Sequence, residues 1–259
     1  MKFSIVSKLI LVVAAASVVG LAWPVNADHY FKQASHTDAV EMMGQVQPAT
    51  DDTSSIWLSE GKSCMNAGTG QSFIYVAETN MFYMIDHNKK TYAEMSADWS
   101  KMMDEMMGDA TDEEKAQSEE MMKAMAEAMM GSMEITVTPT DESKKIKSWS
   151  TSKYIMEMTM PMGKTTSDMW MTKDIDIDYE AFKAVASGSM ALMPGYEKVL
   201  EEMNKVEGIT VYSVTEAQVM GTAVTSTMEL LEHVEKDAPA GTYDIPEGYK
   251  KVDVTEMGQ

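Results

Sequence analysis

The segment KYIMEMTMPMGKTTSDMWMT, Lys153 to Thr172, decides the fold. Tyr154, Met156, Met158, Met160 and Met162 fall on every second position, separated by Ile155, Glu157, Thr159 and Pro161. A period of two places the two sets on opposite faces of an extended strand. Pro161-Met162-Gly163 then predicts a turn into a partner strand, Thr165 to Thr172, carrying Met169, Trp170 and Met171. The same period extends outward. Ile135 and Val137 alternate with Thr136 and Thr138, and Ile209 to Val219 and Thr222 to Val234 form two further strands joined through Met220-Gly221. Asp28 to Ser96 predicts a meander of short strands, with Asp86-His87-Asn88-Lys89 as a hairpin turn between apolar runs.

The intervening segments change period. Trp99, Met102, Met103, Met106 and Met107 recur at helical spacing, and Thr111-Asp112-Glu113-Glu114 matches a capping box. Met121, Met122, Met125, Met129 and Met130 follow as an apolar stripe ending at Gly131. Residues 178–188 and 195–206 predict two more short helices. Strands, helices, strands, helices and strands in that order predict an α+β fold on an antiparallel sheet.

Composition narrows the class. The chain has 259 residues, 44% hydrophobic and 24% charged, which fits a globular protein and argues against a multi-span membrane protein or a wholly disordered chain. Lys2 and Lys8, the apolar run Leu9 to Trp23 and the small-x-small site Val25-Asn26-Ala27 form the layout of a secretory signal peptide. The expected organisation is therefore a leader over residues 1–27 and one domain over 28–259, with helical insertions near 97–131 and 178–206. Asp28, not cysteine, follows the cut, so the mature chain is expected to be periplasmic or secreted, without a lipid or membrane anchor. All 21 basic residues are lysine, against 41 acids, for a net charge of −20. Such a charge repels phosphate backbones and anionic lipid surfaces, so no nucleic-acid partner is expected.

The usual catalytic signatures, G-x-S-x-G, H-E-x-x-H, the P-loop and G-x-G-x-x-G, are absent. Ser59 to Lys62 and Ser150 to Lys153 each match S-x-x-K, without its companion motifs. His29, His36, His87 and His233 are scattered, and Cys64 has no local partner and is expected to be a buried, inert thiol. The expectation is a non-enzymatic protein with no cofactor and no catalytic residue. The 29 methionines are the distinctive feature. They admit three readings: filling of irregular core space, a pliable surface for apolar partners, or thioether ligation of Cu(I) or Ag(I).

Lys145 to Met158, Trp170 to Phe182 and Gly208 to Val254, with the hairpin Met84 to Met95, resemble a family of secreted bacterial proteins classed as a domain of unknown function. The resemblance implies a fold like the periplasmic lipoprotein-carrier (LolA/LolB-like) superfamily: a curved, unclosed antiparallel half-barrel with amphipathic helices packed in its concave face. It also implies an apolar cavity for a lipid, acyl chain or lipoprotein. On the sheet that cavity is expected to be lined by Met156, Met158, Met160, Met169, Trp170 and Met171. On the helices the expected lining is Trp99, Met102, Met103, Met106, Met122, Met125 and Met129. The expected function is binding or carriage of an apolar ligand, with Cu(I) or Ag(I) binding as the alternative.

Overall fold

Period-two patterning dominates the computed structural model, which describes residues 28–42, 45–98, 101, 133–161, 163–177, 197–219 and 221–257. The first meander comprises β1 (His29–Thr37), β2 (Val40–Met42), β3 (Gln45–Gln47), β4 (Thr50–Ser59), β5 (Lys62–Ala67), β6 (Gln71–Val76), β7 (Met81–Asp86) and β8 (Thr91–Ser96). The longer strands β9 (Glu134–Ile146), β10 (Trp149–Met160) and β11 (Gly163–Thr172) follow. Then come α1 (Glu197–Met203), β12 (Ile209–Val219), β13 (Thr222–Glu235) and β14 (Lys250–Lys251). Apart from the small β2-β3 hairpin, the strands form one 12-stranded sheet in the order β14-β8-β7-β6-β5-β4-β1-β13-β12-β11-β10-β9. Every neighbouring pair is antiparallel except β14 with β8. The sheet is open, and its ends are β14 and β9.

Strand β1 joins two meanders that are each local in sequence. It pairs with β4 on one side and with β13, some two hundred residues away in the chain, on the other. Phe31 on β1 is fully buried and packs with Ile56, Leu58, Val211 and Leu230, none more than 4% exposed. Burying each such side chain contributes about 1.5–3 kcal/mol, so this cluster is what ties the two halves together. The hairpin between β7 and β8 falls where the sequence places it. The buried Asp86 carboxylate accepts from the backbone N–H groups of Asn88 and Lys89, both at 2.9 Å, and Lys90 takes the positive φ that closes the turn.

The two faces of the sheet separate by register. Cross-strand pairs run Ser35, Met228, Ser213, Met169 and Tyr154 along one face. Tyr30, Trp57, Cys64, Ile74 and Tyr83 run along the other. Tyr30 and Ser35 are an odd number of residues apart on β1 and so point to opposite sides.

The expected α+β half-barrel with amphipathic helices packed on the sheet is corrected. The described chain is mainly β, and its one α-helix is the seven-residue α1, lying within the segment 195–206 read as helical. Strands of 10–14 residues in the second half satisfy their backbone groups along the sheet, leaving little described chain for helical layers. Residues 102–132 and 178–196, where the remaining helices were expected, lie outside the described residues. No described helix is long and apolar enough to cross a membrane.

Candidate functional site: a methionine cluster and the groove at its edge

Strands β9, β10 and β11 build the site through their shared register. Tyr154 on β10 pairs with Met169 on β11, and Met156 pairs with Val137 on β9. Pairing and alternation together put all four side chains on one face. Val137, Tyr154, Met169 and Met171 are buried with Val206, and the half-buried Met156 and Met203 pack against them. Thr210 Oγ1 lies 3.1 Å from Met171 Sδ within this interior. The thioethers thus fill space between a sheet and the chain that follows α1, a use suited to an unbranched, polarizable side chain.

Helix α1 is fastened over the edge strand. Glu202 accepts from the backbone N–H of Val137 at 2.8 Å and from Lys205 Nζ at 2.5 Å. The Lys205 ammonium first, and the Val137 N–H second, hold the Glu202 carboxyl below the usual carboxylate range. Beneath this clasp, α1 and the start of β9 bound a groove of about 380 Å3. Met133 and Ile135, 3% and 8% exposed, supply its apolar wall, while Lys198, Glu201 and Glu202 form a polar rim. Ile135 stands two residues from Val137 on the same face of β9 and pairs with Met158, so the groove wall runs on into the methionine cluster. A volume of this size falls within the roughly 300–1,000 Å3 of small-molecule sites.

Of the expected lining residues, the structure brings Met156, Met169 and Met171 together in that cluster. Met158 and Met160 are half-buried further along β10, opposite Thr165 and Gly163. Trp170 is not with them. It belongs to the cluster that holds Phe31, Ile209, Val211 and Leu230, and Lys144 Nζ lies 3.7 Å from its ring centroid. Trp170 stands opposite Tyr212, out of phase with Met169, and the register shift that follows leaves Val211 of β12 as the extra residue. Trp99, Met102, Met103, Met106, Met122, Met125 and Met129 lie outside the described residues. The sequence reading missed Glu202 as the clasp on β9. An i, i+3 pair, Glu202 with Lys205, was its available signal.

The scattered histidines acquire partners in three dimensions. His29 Nδ1 lies 3.2 Å from His233 Nε2, His36 engages Asp51 and Asp38, and His87 engages Ser72 and Tyr249. Cys64 is 3% exposed, and burial pushes its thiol up to about 11, as expected of an inert thiol. Among the described residues no three His, Cys, Asp or Glu side chains gather into a metal-sized group.

These features define a protein with a large open antiparallel sheet, a methionine-packed face and a groove at one edge. Its residues 43–249 match the model of a domain of unknown function, DUF4412, and the chain belongs to that family. No curated protein matches it. Among solved structures, one described as that of PNGF-II in a C2 space group aligns over 89% of this chain at 10% identity and a TM-score of 0.37. The chain spans 32% of that structure's length, and a likeness at this level carries no weight for activity.

Proposed function

We propose that the protein is an exported, non-enzymatic binding or carrier protein for an apolar ligand, of which an acyl chain is the form the groove favours. The observation that carries this reading is the groove of about 380 Å3 between α1 and β9, whose wall of Met133 and Ile135 continues into the methionine cluster. Apolar area removed from water, at about 25 cal/mol per Å2, would drive entry. Export to the periplasm rests on the leader layout of residues 1–27. A relationship to the periplasmic lipoprotein carriers belongs to the same proposal, supported by the open antiparallel sheet alone. The copper alternative is less favoured, because the four histidines are engaged with one another or with polar partners and give the thioethers no evident imidazole co-ligand.

The test is lipid extraction from the purified protein with mass spectrometry, joined to titration with a fluorescent fatty acid. Saturable binding is expected, weakened about tenfold or more by Ile135→Trp, which fills the groove. Protein that carries no lipid and binds no fatty acid, or stoichiometric Cu(I) uptake in place of fatty-acid binding, would overturn the proposal.

A further inference from the structure

The sheet face opposite the methionine cluster is crossed by a strap, residues 236–249. Asp28 secures its start: the backbone N–H of Lys236 donates to the Asp28 carbonyl at 2.9 Å and that of Ala238 to Asp28 Oδ2 at 2.8 Å. Its far end runs into β14, where Lys250 N–H donates to the Lys90 carbonyl at 3.0 Å. Ala238, Tyr243 and Tyr249 of the strap pack on Trp57, Cys64, Ile74 and Ile85 of the sheet. Between strap and sheet a cavity of about 150 Å3 remains.

Its chemistry is divided. Trp57, Ile74, Ile85 and Pro246 give apolar walls. Asn66, Ser72 and His87 form a connected polar group, and the strap adds Thr242 and Asp244. Ser72 Oγ donates its one hydrogen to Asn66 Oδ1 at 2.7 Å. The His87 tautomer that completes this group donates from Nε2 to Ser72 Oγ, 2.6 Å away, and accepts at Nδ1 from the Tyr249 hydroxyl at 3.1 Å. Cys64 remains a thiol and points its Sγ at the same Asn66 oxygen, 3.8 Å away. The chain from Tyr249 to Asn66 thus runs in one direction and saturates the Asn66 carbonyl. The Asn66 amide hydrogens are left to meet whatever occupies the cavity.

We propose that this cavity is a binding site for a small, planar, uncharged aromatic molecule bearing a hydroxyl, of the phenol class. A cavity near 150 Å3 takes one six-membered ring, and the Trp57 indole presents an aromatic wall to it. No lysine is among the lining residues and Asp244 is, so an anionic ligand is disfavoured. A hydroxyl can donate to Asp244 and accept from the Asn66 amide, which a plain hydrocarbon ring cannot do.

The experiment titrates the full chain separately with phenol, benzene and benzoate, reading the Trp57 indole and His87 imidazole signals by NMR. Phenol is expected to shift both signals saturably, with benzene and benzoate each bound about tenfold more weakly or worse. Thr242→Phe, on the strap and away from the sheet core, should abolish the phenol response with the circular dichroism unchanged. Asp244→Asn, a change at an exposed position, should narrow the gap between phenol and benzoate. No saturable shift with phenol, or equal binding of benzene or benzoate by the unaltered chain, would overturn the proposal. Because the site lies on the opposite face from the groove, Ile135→Trp should leave the phenol response intact.

Discussion

Lowering the pH should unfold this protein partly through one histidine pair. His29 on β1 and His233 on β13 stack with ring centroids 5.5 Å apart and planes 15° apart, their nearest nitrogens 3.2 Å from each other. Phe31 closes on His233 with a centroid distance of 4.8 Å. Burial first, and the neighbouring His29 second, lower His233 from 6.5 to about 4. Burial lowers His29 as well, against the opposing pull of Glu235, Asp28 and Asp176. In the unfolded chain His233 regains its ordinary value. Between about pH 6.5 and 4 the unfolded state therefore binds a proton that the folded state refuses, so stability is full above this window and is lost as pH falls through it. A fall from 6.5 to about 4 corresponds to roughly 3 kcal/mol, and screening of a half-buried ring reduces this to about 1–2 kcal/mol. Urea unfolding followed by tryptophan fluorescence at about pH 7.5 and about pH 4.5 measures it. Because 41 acidic residues add a pH dependence of their own, the informative quantity is the difference between the wild-type chain and His233→Gln. The variant should lose about 1–2 kcal/mol less on acidification. Identical losses, or a His233 ring proton titrating near its ordinary value, would refute the reasoning.

Other expectations follow from single positions. Gly208 has φ +103 and a Cβ there would collide with the Thr172 carbonyl, so Gly208→Ala should cost about 2–3 kcal/mol in urea unfolding. Met169→Ala empties a site 3% exposed at the centre of the methionine cluster and should cost about 2–5 kcal/mol in the same assay. Cys64 should resist a thiol reagent in native protein at mildly alkaline pH and react promptly once urea is added, since its thiol is both buried and pushed up to about 11. Glu202→Ala should leave global stability little changed while raising the exchange rate of the Val137 amide, whose acceptor is lost.

How far the residues disclose these features depends on how local each cause is. The hairpin at Asp86 to Lys89 is legible because one carboxylate and two backbone N–H groups make the turn within four residues. The period-two run from Tyr154 to Met160 is legible for the same reason, and the pairing of β10 with β11 follows from the short turn between them. The pairing of β1 with β13 has no such local cause, since either strand pattern would suit several partners, and it decides where Phe31 and the His29–His233 stack sit. Grouping Trp170 with Met169 and Met171 treated three consecutive residues as one lining, although the middle one alternates out of line with them and joins a different cluster. The helices expected from the methionine spacing fall on residues 102–132, outside the described ones, and the described strands pack clusters on both faces of the sheet.

An open sheet of this width must also protect its ends, and the site proposed for an apolar ligand sits at one of them. Strand β9 carries Pro139, which has no N–H to offer a further strand, and beside it the register against β10 shifts between Ser152 and Tyr154. Thr140 Oγ1 donates to the Lys153 carbonyl at that irregularity, and Lys144 and Lys145 follow on exposed positions. Towards its start β9 lacks such devices, and there the Glu202 carboxylate takes up the Val137 N–H. The clasp that closes the groove is thus also the guard on the edge. A ligand that displaced α1 to enter would uncover strand backbone as well as Met133 and Ile135. Entry by way of the polar rim, with α1 still seated, avoids that exposure and is the route the geometry favours.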